Sequence, residues 1–126
     1  MRRSMMAAGL IGLLSGGFAH AQTPDERSVP DSWVGEWNQN LGDCGTGNND
    51  SRLRIEANRV LFYESGGLVR GAFLHGPFEI IIVLDMSGEG QTWIDSHHFV
   101  MSASGHYIRT TGEEPMVRYR CPVVAS

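Results

Sequence analysis

The residues best equipped for chemistry lie together at Asp95-Ser96-His97-His98. An imidazole beside a carboxylate can exchange protons near neutral pH, and paired histidines can ligate a metal. Geometry decides between these uses. The stretch 91–101 reads as a β-strand between two turn signals, Ser87-Gly88-Glu89-Gly90 and Ser102-Ala103-Ser104-Gly105. Successive strand residues point to opposite faces, so His97 and His98 cannot share one metal unless a bulge re-aims one of them. A metal would also need His75 or His106 from a neighbouring strand. Asp95 and His97 share a face, which allows a carboxylate–imidazole contact that would raise the histidine's pKa and fix its tautomer. No nucleophile is indicated beside them. The histidines therefore read as structural, with a small enzyme using Asp95 and His97 as the alternative. No metal and no cofactor are expected.

Other groups give weaker signals. Asp43, Asn48, Asn49 and Asp50 make an oxygen-rich, glycine-containing stretch, but their spacing does not match the twelve-residue calcium loop, so it reads as a turn region. Trp33, Gly35 and Trp37 share one face of a strand and would plug one end of a barrel or line an apolar pocket. Five arginines, Arg52, Arg54, Arg70, Arg118 and Arg120, alternate with apolar residues and read as a solvated outer face. Cys44 and Cys121 allow a single disulfide. Closing a loop of that length stabilises by roughly 4 kcal/mol in the chain-entropy model.

The elements that hold these residues read as strands throughout. From Trp33 on, short alternating runs are separated by Gly, Asn and Ser about every 8–12 residues, the pattern of an all-β domain. A turn at Ala57-Asn58 sets Ile55 opposite Val60 and Arg54 opposite Leu61. A turn at Gly66-Gly67 would set Phe62 opposite Gly71, with Val69 and Phe73 also inward. In the apolar run from 78 to 84, Phe78, Ile80, Ile82 and Leu84 face the core. A turn at Ser104-Gly105 sets Met101 opposite Ile108 and Phe99 opposite Thr110. With segments 33–38, 106–110 and 117–121 the count reaches about eight antiparallel strands. Sequential strands on short connections predict an up-and-down barrel or a flattened sandwich, and closure removes the edges, which favours the barrel. Its candidate pocket residues are Trp37, Phe62, Phe73, Ile80, Trp93 and His97. Ser87, Gly88, Glu89 and Gly90 form the candidate binding loop.

Residues 1–21 have the layout of a secretory signal peptide: Arg2 and Arg3, an uncharged apolar run over 5–18, and a small-x-small site at Ala19-His20-Ala21. The run is about 14 residues, short of the roughly 20 that span a bilayer. Cleavage would leave a polar, flexible leader at 22–32 and one domain at 33–126. Export to a periplasm or beyond suits a disulfide. All ten basic residues are arginine and two precede residue 22, which leaves eight against 14 acidic residues, a formal charge of −6. That excess argues against nucleic acid as a partner and against adhesion to anionic lipid.

Two resemblances extend this reading. The opening Trp33-x-Gly35-x-Trp37 resembles the start of lipocalin-like barrels, where a Gly-x-Trp sits on the first strand; here that element is Gly35-Glu36-Trp37. The turn Ser87-Gly88-Glu89-Gly90 followed by Trp93, together with Cys44 and Cys121, resembles the C-type lysozyme inhibitors, small periplasmic barrels bridged between their two ends. Cys44 lies further from the start of its domain than in that pattern. Gln91-Thr92 stand where a basic residue follows the turn. The expectation is thus an exported, non-catalytic barrel, monomeric or weakly dimeric, that binds an envelope macromolecule or a small apolar ligand. Inhibition of a lysozyme-like hydrolase through the 87–90 loop is the alternative that the resemblance implies.

Overall fold

A computed structural model describes residues 26–47 and 49–123. The signal peptide expected at 1–21 lies outside the described residues. Eight strands form: β1 (Gly35–Asn38), β2 (Leu53–Ile55), β3 (Arg59–Leu61), β4 (Gly66–Leu74), β5 (Glu79–Gly88), β6 (Gln91–Met101), β7 (Tyr107–Thr110) and β8 (Val117–Arg120). Each pairs antiparallel with the next, and β1 pairs with β8, so the sheet closes into the expected up-and-down barrel. No helix among the described residues is long and apolar enough to cross a membrane.

Alternation sorts the side chains. Along β5, Ile80, Ile82, Leu84 and Met86 are buried while Ile81 and Asp85 are exposed. Leu53, Ile55, Val60, Phe99 and Ile108 meet them from the other strands, each no more than 1% exposed. The β2–β3 and β6–β7 registers are those the turns predict: Ile55 opposite Val60, Met101 opposite Ile108 and Phe99 opposite Thr110. Phe78 differs. It precedes β5 and stands 45% exposed at the turn.

The β3–β4 connection departs from expectation. Gly66 and Gly67 are not a turn; they pair within β4 against Leu61 and Val60. The turn spans 62–65 instead, closed by the Phe62 N–H donating to the Ser65 carbonyl at 2.8 Å. Gly67 is needed for close packing rather than for a bend. A Cβ there would stand 2.7 Å from Met86 Sδ and 3.0 Å from Leu84 Cβ. A bulge at Arg70 then inverts the phase of β4, so Ala72 opposes buried Ile82 while Phe73 opposes Ile81 on the outside. Phe73 is 45% exposed, with its ring laid over Gly71, and lines no interior pocket.

The segment 26–33 is not a loose leader. Val29 is buried, and its N–H donates to the Ala57 carbonyl at 2.7 Å. The Ala72 N–H donates to the Glu26 carbonyl, so this segment covers β4 where short β3 stops. A turn of 3-10 helix, Asp31–Trp33, then seats Trp33 against the core at 1% exposure. Trp37 donates its indole N–H to the Trp33 carbonyl at 3.1 Å, and both rings are plug rather than pocket wall. Cys44 and Cys121 are bonded, with Cα atoms 5.7 Å apart, beside the β1–β8 seam. Glu36 braces the bridge: its Oε2 accepts from Gly45 N at 2.7 Å and from Asn38 Nδ2 at 2.9 Å.

The arginines divide. Arg54 and Arg70 lie outside as expected, paired with Glu56 and Asp85. Arg118 and Arg120 do not. Arg118 pairs with buried Ile108 and Arg120 with buried Trp37, so both take the inward phase and Tyr119 faces out at 42% exposed. Arg120 lies over the Trp37 ring, its Cζ 4.1 Å from the centroid, and donates to the carbonyls of Ser32, Val34 and Gly105. The carbonyls left by the irregular segment before β1 call for a multiple donor, and arginine supplies one.

Candidate functional site

The β6 strand carries Trp93, Asp95, His97, Phe99 and Met101 on its inner face, opposite Met86, Leu84, Ile82 and Ile80 of β5 for the first four. No irregularity interrupts this pairing. Phe99 is in the core, whereas Asp95 and Trp93 approach the open end, Trp93 at 39% exposed. His97 lies between them. Its ring is 4.8 Å from Phe62 and 6.1 Å from Phe99, centre to centre. Its Nε2 comes 3.3 Å from Asp95 Oδ2 but is not directed along a hydrogen bond, and is buried without a hydrogen-bond partner among the described residues.

His98 turns to the outer face, opposite Ile81, where its Nε2 meets Glu79 Oε2 at 3.0 Å. Each histidine thus has its own carboxylate on its own side of the sheet, and the pair shares no metal. No local sequence pattern signals the Glu79 contact; it follows from the β5–β6 register, which places Glu79 opposite Val100 and beside His98. Among the described residues, the one cluster of three groups of ligand type is Glu36 with Cys44 and Cys121. There the sulfurs are bonded to each other and offer no thiolate.

The expected rise in His97's pKa is reversed. Burial disfavours the charged imidazolium and dominates; the Asp95 carboxylate pulls upward, and the Arg118 charge adds to the lowering. The sign for stability follows. Below the ordinary histidine value of 6.5 the unfolded chain takes up a proton that the folded ring resists. Stability from neutral His97 is therefore present above that value and lost as pH falls through the lower folded value. Urea midpoints taken between about pH 7.5 and about pH 5 should fall for the native protein and fall less steeply for His97→Gln. An unchanged slope in the variant would remove His97 from the account.

Among the described residues, the interior around the expected apolar pocket is closely packed. Trp37 and Ile80 are fully buried in the packed core, and Phe62 packs against it. Phe73 lies outside and Trp93 at the rim. The structure thus brings Phe62, His97 and Trp93 to one end of the barrel and leaves the other three of the six expected pocket residues apart from them.

A groove of about 650 Å³ runs over β3–β6 at that end. Two outward rows form it. Leu61, Gly66, Ser87 and Thr92 stand side by side in one, and Arg59, Leu68, Asp85 and Ile94 in the next. Gly66 and Gly67 leave its floor without side chains, so Met86 and Trp93 also reach it. Leu68 is 64% exposed and Ile94 58%. The candidate loop stands beside it. The β5–β6 hairpin ends at Glu89-Gly90, both with positive φ (49° and 78°), as a two-residue primed turn requires. Gly88 and Glu89 border a smaller cleft with Glu64, Ser65, Gln91 and Trp93.

Comparison with protein-family models, with curated proteins and with solved structures found no match. The geometry of these surfaces therefore carries the functional reading alone.

Proposed function

We propose that the protein is an exported, non-catalytic binding module that grips an envelope macromolecule through the groove over β3–β6. One observation carries this reading: Leu68 and Ile94, both more than half exposed, lie in one outward row of a groove that also shows Trp93. Large apolar side chains left in water along one groove, here on either side of Asp85, mark interaction sites, and a tryptophan in the same groove supplies an anchor. Inhibition of a hydrolase is the second reading. It is favoured by the tip Ser87, Gly88, Glu89 and Gly90, which ends the long β5–β6 ladder and adjoins the same groove.

Capture from periplasmic extract by the immobilised protein, read by mass spectrometry, tests both. The double variant Leu68→Asp, Ile94→Asp should lose the captured partner at least about tenfold, since two charges enter a desolvated contact. Tyr119→Ser, across the barrel on β8, should retain it. Equal capture by all three proteins ends the groove reading, and the identity of the partner separates a hydrolase from other macromolecules.

A further inference from the structure

The disulfide is surrounded by atoms that can ligate a metal. Glu36 on β1 sets its Oε2 3.5 Å from Cys121 Sγ. One ligand atom from each of Glu36, Cys44 and Cys121 falls within 4.8 Å of the others. The two cysteine Cα atoms are 5.7 Å apart, so both sulfurs can reach one ion at a bond length of about 2.3 Å. Cys121 follows β8 directly, whereas Cys44 stands in the connection over 39–52, outside any strand.

An independent observation points to the same spot. Asn38 is fully buried, and its Oδ1 has no hydrogen-bond partner among the described residues. Its Nδ2 faces the cluster, 2.9 Å from Glu36 Oε2, 3.2 Å from Cys121 Sγ and 3.8 Å from Cys44 Sγ. Half a turn of the amide exchanges its oxygen and nitrogen. Oδ1 would then stand among a carboxylate oxygen and two sulfurs, a group of acceptors that a cation joins. The turn breaks no hydrogen bond at the far position, since Oδ1 makes none there. The cluster thus offers four donors, two sulfurs and two oxygens.

We propose that, once the bridge is reduced, Cys44, Cys121, Glu36 and Asn38 bind one zinc ion in its place. A dithiol supplies the two electrons and two protons that open the bridge, and is itself oxidised to a disulfide. Zinc then displaces the two thiol protons. Two thiolates and the Glu36 carboxylate leave the four-coordinate centre with one negative charge. Mixed sulfur and oxygen donors suit this borderline ion, whereas the softer cuprous ion prefers sulfur alone. Cys44 and Glu36 are half-buried, and Cys121 lines an outer groove of about 620 Å³ with Tyr107 and Tyr119, so reductant and ion both have access. The ion holds the 39–52 connection to the end of β8 and keeps the β1–β8 seam closed without the disulfide. None of the four residues lines the groove over β3–β6, so this site and the macromolecule reading stand or fall separately.

The test uses the protein reduced with a phosphine and freed of it under argon. One equivalent of cobalt(II), the spectroscopic probe for zinc, should give an intense thiolate-to-metal band in the near ultraviolet. One equivalent of zinc should bleach it, and the oxidised protein should show no band. Zinc should raise the melting temperature of the reduced protein and leave that of the oxidised protein unchanged. Glu36→Gln keeps an acceptor for Gly45 and Asn38 but loses the charge, and should bind zinc at least about tenfold more weakly. Asn38→Asp places a carboxylate oxygen at the fourth position and should bind zinc more tightly. Should the reduced chain unfold without metal, one equivalent of zinc should restore its strand signal in circular dichroism. Absence of the band, failure of zinc to stabilise or refold the reduced chain, or an affinity that neither substitution moves would overturn the proposal.

Discussion

Replacing Trp37 with alanine should destabilise the barrel by about 3–5 kcal/mol. Three losses combine. The indole is completely buried, so its removal opens a cavity that rigid strands cannot collapse to fill. Its N–H no longer reaches the Trp33 carbonyl, which holds the plug at the end of the barrel. The Arg120 guanidinium loses the ring it lies over at 4.1 Å, a contact of roughly 0.5–2 kcal/mol. A small domain has only about 5–15 kcal/mol in total, so the variant approaches the edge of folding. Urea unfolding measures the difference. Trp93→Ala, at the rim, should cost about 1 kcal/mol or less by comparison. Equal losses at the two tryptophans would show that Trp37 does not hold the plug.

Breaking the Cys44–Cys121 bond should cost nearly as much, about 4 kcal/mol. The bridge spans 77 residues, so the reduced unfolded chain gains a large share of freedom. The folded state loses something too. The seam that closes the ring has only two registered pairs, Trp37 with Arg120 and Asn38 with Tyr119. The bridge stands beside it, and the Glu36 contacts to Asn38 and Gly45 depend on the loop that Cys44 tethers. A domain of this size shifts its melting temperature by roughly 4–8 °C per kcal/mol. Melting curves with and without a strong reductant should therefore separate by at least about 15 °C. Coincident curves would mean that the seam holds without its bridge.

What the sequence revealed follows a physical division. Registers set by short local turns were legible: Ala57-Asn58 placed Ile55 against Val60, and Ser104-Gly105 placed Met101 against Ile108. Asp95 and His97 were placed on one face by alternation alone, and the structure puts them 3.3 Å apart. Errors arose where a residue type has two uses. Gly66-Gly67 reads as a bend, yet the pair is strand backbone beneath Met86. The bulge at Arg70 has no signature beyond its consequence, the outward turn of Phe73. Arginine is usually solvated, which predicts Arg118 and Arg120 on the outside. Their inward phase comes from pairing with Ile108 and Trp37 across strands distant in sequence, which no local pattern encodes. The depth of His97, and with it the direction of its pKa, depends on those same strands.

The seam has a further meaning for how the ring is made. Seven of its eight strand pairs join neighbours in sequence; apart from the β1–β2 connection over 39–52, their closing loops are short and zip with little entropic delay. The eighth brings together segments as far apart as Asn38 and Cys121, 83 residues. In the reduced chain that last pairing is a diffusive search of nearly the whole domain. In the oxidised chain the ends are already tethered, and closure becomes as local as a hairpin. The disulfide therefore lowers the entropic cost of ring closure in a chain oxidised before it folds, as well as stabilising the closed ring.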